Sequence, residues 1–167
     1  MDTELEMLAA ELGAALLARG ESLATAESCT GGWVAETVTA IAGSSAWFDR
    51  GFVTYSNAAK TEMLGVPETT LARHGAVSEP TARAMAQGAL AHSRAHWTLA
   101  ITGIAGPGGG TAEKPVGLVC FGWASREGGC EAQTMHFAGD RGAVRRQAVR
   151  HALCELLVRI ELAPICV

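Results

Sequence analysis

Three side chains that can act as nucleophiles stand next to one another in the stretch TAESCTGG, residues 25–32. Ser28, Cys29 and Thr30 follow a short apolar segment and precede an apolar pattern with helical spacing. The first N–H groups of a helix have no intrahelical partner, and the helix dipole is positive there. A hydroxyl at this point can attack a carbonyl while the N–H groups hold the resulting oxyanion. The alternative is that Ser28 or Thr30 only caps the helix.

Lys60 is a candidate base for that hydroxyl. The segment TYSNAAK, residues 54–60, contains the only tyrosine of the chain, Tyr55, and one of two lysines, against 11 arginines. A lysine, unlike an arginine, can lose its proton when burial lowers its pKa. A serine and a neutral lysine form a nucleophile–base pair without a histidine. Tyr55 could relay a proton or fix the amine, and the alternative is that Lys60 is an ordinary solvated helix residue.

A third polar segment, TGIAGPGGGTAEKPVG at residues 102–117, is rich in glycine and follows a predicted strand. It has neither the spacing of a phosphate-binding P-loop nor the dinucleotide-binding G-x-G-x-x-G pattern. Its backbone N–H groups could still form a nest that holds an anion together with Lys114. The alternative is a long mobile loop.

The spacing of apolar residues predicts helices that alternate with strands. Helices are predicted at 2–20, 31–41, 57–64, 67–73, 78–95 and 140–161. Strands are predicted at 21–28, 47–56, 96–103, 116–125 and 130–139, with a hairpin around 126–129. We therefore predict one α/β domain over residues 1–167, a three-layer α/β/α sandwich with a mixed sheet. Ligands bind beyond the carboxyl ends of strands in such sheets, and the three polar segments lie at such ends.

Charge and hydropathy exclude two kinds of partner. The net charge is −4, the pI is about 5.7 and no run of lysine or arginine occurs, so the basic surface that nucleic acid requires is missing. No stretch reaches the roughly 18 uninterrupted apolar residues of a membrane-spanning helix. The acidic N-terminus does not resemble a signal peptide. We therefore expect no nucleic acid and no membrane as a partner.

The cysteines are odd in number and show no C-x-x-C spacing. They are Cys29, Cys120, Cys130, Cys154 and Cys166. This pattern indicates reduced thiols and a cytoplasmic location, with neither a disulfide framework nor a zinc knuckle. The segment HSRAH, residues 92–96, has two histidines at helical spacing but lacks the glutamate of a zinc-protease helix. We expect no metal and no cofactor.

Five stretches, in order and without internal gaps, resemble the CinA C-terminal domain family. They are TAESCTGG, GFVTYSNAAKTEMLGV, GAVSEPTARAMAQGA, ITGIAGPGGGTAEKPVG and GDRGAVRRQA. The resemblance runs from about residue 5 to residue 160 and is closest to the stand-alone nicotinamide-nucleotide amidases of that family. It implies hydrolysis of the carboxamide of nicotinamide mononucleotide, which yields nicotinic acid mononucleotide and ammonia in pyridine nucleotide salvage. It also implies a Ser–Lys type site at Ser28, Lys60 and Tyr55.

The small-molecule nucleotide should contact all three polar segments and the last helix. We expect Thr30 and the amides after it to supply the oxyanion site, and the glycine-rich loop with Lys114 to bind the phosphate. Arg141 or Arg145 could assist, although these arginines could equally form a subunit interface or a solvated face. The expected substrate-binding residues are Thr30, Gly31, Gly32, Asn57, Thr102, Gly103, Gly106, Lys114 and Arg141. We expect a homo-oligomer, a dimer or larger.

Two other interpretations stay open. The first is a hydrolase that uses Cys29, which would need a histidine partner that the motif segments lack. We expect Cys29 to pack inward, because adjacent residues leaving a strand point to opposite faces. The second is a non-catalytic protein that senses a nucleotide or binds a partner in the competence and DNA-damage responses for which the family is named. Glu27 has no assigned role beyond orienting its neighbours.

Overall fold

The computed structural model describes residues 2–165, so the predicted free thiol of Cys166 lies outside the described residues. Within this range the helices are α1 (Thr3–Arg19), α2 (Trp33–Thr39), α3 (Asn57–Leu64), α4 (Glu68–His74), α5 (Glu79–Ala91) and α6 (Arg141–Leu162). The strands are β1 (Leu23–Glu27), β2 (Phe48–Val53), β3 (Trp97–Gly103), β4 (Leu118–Ser125) and β5 (Cys130–His136). A short 3₁₀ helix, Ser44–Ala46, precedes β2.

The strands form one mixed sheet in the order β2-β1-β3-β4-β5. β1 pairs in parallel with both β2 and β3, whereas β4 and β5 add as antiparallel strands. Glu27, the last residue of β1, stands in register between Val53 of β2 and Ile101 of β3. The segments that follow these three strands therefore meet at one end of the sheet, as the sequence predicts.

Helices cover both faces of the sheet, which confirms the predicted three-layer α/β/α sandwich. α1, α2 and α6 pack on one face around large apolar side chains such as Leu12, Phe121 and Leu153. α3, α4 and α5 lie on the other face over a smaller core that includes Met85 and Ala100. Both faces of β1 and β3 are thus covered, so every residue of β1 and every residue of β3 except Gly103 is buried.

α3 is the helix that carries Lys60, and both its ends and its packing against α5 are well defined. Ser56 caps its start by accepting the Ala59 N–H at 3.0 Å, and Gly65 ends it in the left-handed conformation. α3 meets α5 at Gly88, where an added Cβ would lie only 2.0 Å from the Leu64 carbonyl oxygen. This close approach holds α3 against α5 and fixes where the lysine side chain begins.

α2 is shorter than predicted by two residues at each end. The prediction placed it at 31–41, but Gly31 and Gly32 have φ angles of +62° and +102°, which are outside the helical region. The helix therefore begins at Trp33, and it ends at Thr39.

None of the described helices is long and apolar enough to cross a membrane.

Candidate active site

The polar segments that follow β1, β2 and β3 enclose a cleft of about 200 Å³ at the carboxyl end of the parallel strands. α6 contributes its first residue to the same cleft. The lining residues are Ser28, Cys29, Tyr55, Asn57, Lys60, Ala76, Val77, Thr102, Gly103, Ala105 and Arg141. The predicted convergence of the three segments is thus present in the structure.

Four larger cavities lie elsewhere, and the two smaller of these have volumes of about 370 and 250 Å³. One of about 660 Å³ is lined by acidic residues of α1 and by the start of α2, and one of about 490 Å³ lies between α6 and the β4–β5 hairpin. None of the four is lined by a lysine, whereas the smaller cleft is lined by both members of a hydrogen-bonded serine–lysine pair. The smaller cleft is therefore the candidate site on chemical grounds, although it is not the largest cavity.

Ser28 and Lys60 meet in the cleft, with 3.1 Å between the Ser28 Oγ and Lys60 Nζ atoms. Ser28 follows β1 directly, and its N–H donates to the Ile101 carbonyl at 3.0 Å. The Lys60 amine also donates to the Thr54 carbonyl at 3.0 Å. Only 1% of Lys60 is exposed, and burial lowers the pKa of this amine because desolvation disfavours the ammonium form. The pair therefore has the distance and the electrostatics of a nucleophile and its base.

Cys29, the neighbour of Ser28, lies in a different environment. Its side chain packs in the apolar core between the sheet, α2 and α6, which confirms the predicted inward orientation. Burial raises the pKa of this thiol to about 11, so the reactive thiolate is scarce at neutral pH. No histidine is among the residues that line the cleft. The geometry thus favours the hydroxyl over the thiol as nucleophile.

Thr30, Gly31 and Gly32 were expected to contact substrate, but they do not line the cleft. Thr30 is fully buried, and its hydroxyl donates to the Glu27 carboxylate at 2.7 Å. The Gly31 N–H donates to the Ser28 carbonyl at 3.0 Å. The first free N–H groups of α2 also donate to Glu27. The start of α2 is therefore filled by groups of the protein itself and is not available to an oxyanion.

Tyr55 and Arg141 contact each other at the mouth of the cleft. The Arg141 guanidinium donates to the Tyr55 hydroxyl at 3.0 Å and to the Gly106 carbonyl at 2.8 Å. Tyr55 is 62% exposed and does not lie between Ser28 and Lys60. The expected proton relay through Tyr55 has no hydrogen-bonded path among the described residues. Gly106 likewise faces Arg141 rather than the cleft, so its contribution is to hold this arginine.

Arg145 lies one turn beyond Arg141 on α6 and contacts the turn that contains Ser28. Its Nε and Nη2 atoms donate to the carbonyls of Cys29 and Thr30, both at 3.0 Å. Its guanidinium also lies over the Trp33 ring, 5.4 Å from the centroid. These contacts make Arg145 part of the support of the turn, and it does not line the cleft.

Lys114, the second lysine, also lies outside the cleft lining. Its Nζ donates to the His74 carbonyl at 2.6 Å, at the end of α4. The Thr111 N–H donates to the Lys114 carbonyl at 2.8 Å and closes a turn within the loop. Because the last carbonyls of a helix attract a cation, Lys114 is well suited to tie the glycine-rich loop to α4.

The remaining expected contacts, Asn57, Thr102 and Gly103, do line the cleft. The Thr102 hydroxyl donates to the Ala76 carbonyl at 2.7 Å and fixes the wall that Ala76 and Val77 form. Sequence reasoning missed this wall, because its residues carry no polar side chain and only the fold brings them to the site. The described part of the chain contains no group of three or more His, Cys, Asp or Glu residues that could hold a metal ion.

Residues 5–160 match the CinA C-terminal domain. The nicotinamide-nucleotide amidohydrolase PncC of Escherichia coli is 59% identical over 152 residues, which cover 91% of this chain and 92% of the relative. The protein of the same name from Enterobacter agglomerans is 55% identical over 152 residues, covering 91% and 93%. The crystal structure of the competence/damage inducible protein CihA from Agrobacterium tumefaciens has a TM-score of 0.93 at 49% identity, covering 96% of this chain and 98% of that one. The chain therefore belongs to the CinA C-terminal domain family.

Proposed function

We propose that the chain is an amidohydrolase that converts nicotinamide mononucleotide and water into nicotinic acid mononucleotide and ammonia, a step of pyridine nucleotide salvage. The observation that carries the proposal is the buried pair of Ser28 and Lys60, with 3.1 Å between Oγ and Nζ. The name of the 59% identical relative, a nicotinamide-nucleotide amidohydrolase, supports the choice of substrate.

The first half of the reaction forms an acyl-enzyme. Neutral Lys60 takes the Ser28 proton directly, and Oγ attacks the carbon of the carboxamide. The tetrahedral intermediate collapses when the Lys60 ammonium returns that proton to the leaving nitrogen, so ammonia departs and an ester on Ser28 remains. The lowered pKa of Lys60 supports this step, because an amine accepts a proton only in its neutral form.

The second half hydrolyses the ester. Lys60, neutral again after ammonia leaves, takes a proton from water, and the hydroxide attacks the acyl carbon. The ester bond breaks, and Lys60 returns the proton to Ser28 Oγ. The products are nicotinic acid mononucleotide and the free enzyme, and the cycle requires neither a metal nor a cofactor.

Arg141 is our candidate for the phosphate site, because its guanidinium lies at the mouth of the cleft and can bind phosphate through two N–H groups. A cleft of about 200 Å³ suits the nicotinamide end of the substrate, with the charged phosphate at the mouth. Asn57, Thr102 and Gly103 would contact the part between the two. Lys114 is assigned to anchoring the loop instead, since it does not line the cleft and its amine donates to the His74 carbonyl.

Two features of the protein's setting stay predictions. The homo-oligomer, a dimer or larger, is tested by light scattering on the purified protein. The cytoplasmic location rests on reduced thiols, and the described cysteines, Cys29, Cys120, Cys130 and Cys154, are free. Fractionation of cells that express the tagged chain tests it.

The test is ammonia release by the purified protein with nicotinamide mononucleotide, nicotinamide riboside and free nicotinamide. We expect turnover of the mononucleotide, none with Ser28→Ala, and most of the activity with Cys29→Ala. EDTA should leave the rate unchanged, because the proposed base is an amine. Full loss in Cys29→Ala with Ser28→Ala still active would assign the reaction to the thiol.

The competing function is a non-catalytic module, which the names of relatives such as the competence/damage inducible protein of Agrobacterium tumefaciens suggest. Calorimetry with the same ligands distinguishes the two. Binding of the mononucleotide without release of ammonia would favour the sensing role, and turnover would exclude it as the sole function.

A further inference from the structure

The mechanism above does not use the carboxylate of Glu27, although this residue directly precedes the nucleophile. Glu27 is 1% exposed. Its Oε1 atom accepts the Thr30 hydroxyl at 2.7 Å and the Val34 N–H at 2.9 Å, and its Oε2 atom accepts the Ala35 N–H at 3.1 Å. Burying a carboxylate costs desolvation free energy even when three donors bind it, and packing alone does not require a charged group at this position.

The position of these contacts is unusual for a helix cap. The residue at the N-cap of α2 is Gly32, which has no side chain to cap with. Glu27 caps the helix instead, from the end of the preceding strand. Its carboxylate links the last residue of β1 to the first turn of α2. The turn Ser28–Gly32 is therefore closed into a ring by these hydrogen bonds.

The backbone of this ring is held at its strand end. The Glu27 carbonyl accepts the Thr54 N–H at 2.8 Å, and the Ser28 N–H donates to Ile101 at 3.0 Å. The other end contains Gly31 and Gly32, both at positive φ, and glycine has more accessible backbone conformations than any other residue. Without the carboxylate, the side-chain bonds of Arg145 to the Cys29 and Thr30 carbonyls would remain, but no side chain would join the turn to the first N–H groups of α2.

We propose that Glu27 is a positioning residue that holds the turn Ser28–Gly32 so that Ser28 Oγ stays within hydrogen-bond distance of Lys60 Nζ. The proposal rests on the proposed function for its assignment of Ser28 as nucleophile. A displacement of about 1 Å at a reacting atom lowers a rate by roughly 100-fold. The three side-chain hydrogen bonds of Glu27, which we call the brace, therefore affect the reaction rate by fixing the position of Ser28. Glu27 does not line the cleft, and its side-chain hydrogen bonds go to Thr30, Val34 and Ala35 rather than to Ser28 Oγ or Lys60 Nζ.

The decisive variant is Glu27→Gln, which keeps size and shape. Its amide nitrogen would face an N–H or O–H donor where an oxygen now accepts, so at least one of the three bonds is lost. Glu36→Gln is the matched control, because Glu36 lies in the first turn of the same helix but is exposed. Two rates are measured: ammonia release from nicotinamide mononucleotide, and labelling of Ser28 by a fluorophosphonate probe followed by mass spectrometry.

We expect Glu27→Gln to lower kcat about 10- to 100-fold and to slow the labelling of Ser28 by a similar factor, with KM within about threefold of wild type. Glu36→Gln should match wild type in both. A Glu27→Gln protein with a lowered melting temperature but unchanged kcat and labelling would reduce Glu27 to a stability role and overturn the proposal.

Two outcomes separate this proposal from the proposed function. If wild type labels at Ser28 but releases no ammonia, the substrate is wrong, and the labelling rates still test the brace. If Ser28 of wild type is not labelled, the nucleophile assignment fails and the positioning role fails with it. Should Glu27→Gln not fold, Glu27→Asp withdraws the carboxylate by one methylene from all three donors, and a labelling rate equal to wild type in that variant would equally refute the brace.

Discussion

The two glycine-containing segments that follow the neighbouring strands β1 and β3 are built in opposite ways. The turn after β1 is buried at Ser28, Cys29 and Thr30, and its groups bond to the sheet, α2 and α6. The loop after β3 is exposed from 107 to 113 and is closed at its base, where the Gly117 N–H donates to Ile104 at 2.7 Å. A bond-forming atom must be held to a fraction of an ångström, whereas a loop that shapes the mouth of a cleft needs only to be anchored.

The two lysines repeat this contrast. Lys60 is 1% exposed and hydrogen-bonds to Ser28, the proposed nucleophile, while Lys114 is partly exposed and donates to a helix-terminal carbonyl. The same side chain thus acts as a candidate base where burial lowers its pKa and as a tether where it stays near solvent. We expect substitutions at the two lysines to differ both in size and in kind.

Lys60→Arg should have the largest effect, a loss of about 1,000-fold or more in kcat/KM. Arginine keeps its proton at any ordinary pH and cannot take one from Ser28, although it preserves the charge. The measurement is kcat/KM from about pH 6 to 9, with melting curves to establish that the variant is folded. A folded variant within a few-fold of wild type would end the general-base assignment.

The pH dependence of the wild-type protein should report the lowered pKa of Lys60. Because only the neutral amine is active, kcat/KM should rise about tenfold per pH unit below that pKa and then level off. Stability should change in the same direction. Between the folded pKa and the ordinary value of 10.5 the unfolded chain binds a proton that the folded chain does not, so the free energy of unfolding rises with pH.

Urea unfolding of wild type and Lys60→Met at several pH values measures how much the titration of Lys60 contributes to the free energy of unfolding. The difference in unfolding free energy between the two proteins should shift in favour of wild type as the pH rises. A difference that is constant with pH would mean that Lys60 titrates alike in the folded and unfolded states.

Arg141→Ala tests the proposed phosphate site at the mouth of the cleft, whereas the Lys60 variants test the proposed base inside it. Hydrogen bonds to a charged group contribute about 1.5–3 kcal/mol, which corresponds to a loss of roughly 10- to 100-fold for the mononucleotide. Nicotinamide riboside lacks the phosphate, so its kcat/KM should change much less. An equal loss for both substrates would remove Arg141 from the phosphate site and leave it as a support for Tyr55 and Gly106.

The sequence predicts the elements well because their physical causes are local. Apolar spacing and caps locate the helices and strands, and the alternation of the two leads to the sandwich. α2 and α5 are the exceptions. The start of α2 after two glycines depends on their backbone conformation, which the sequence leaves free. The helix predicted over 78–95 ends at Ala91, so residues 92–95 are wrongly predicted as helical. The hairpin of β4 and β5 is recognisable from the apolar β4 segment and from the turn residues at 126–129.

The site was predictable in part. Ser28 and Lys60 stand out by residue type and by their places after parallel strands. The rarity of lysine marks Lys114 as unusual in the same way, but composition does not reveal that its amine bonds a helix terminus. The role of Glu27 depends on a side chain that folds back onto a later helix, a tertiary contact with no signature in spacing.

Lys114→Ala should have the smallest effect of the lysine and arginine changes. Removing its bond to the His74 carbonyl loosens the anchor of the glycine-rich loop. The amine is partly exposed, so water can replace it at the carbonyl, and we expect kcat/KM to fall only about two- to tenfold. The loss should be equal for nicotinamide mononucleotide and nicotinamide riboside, because the tether does not touch the phosphate. Measuring both substrates beside Arg141→Ala decides between the two residues. A loss confined to the mononucleotide in Lys114→Ala would return this lysine to the phosphate site.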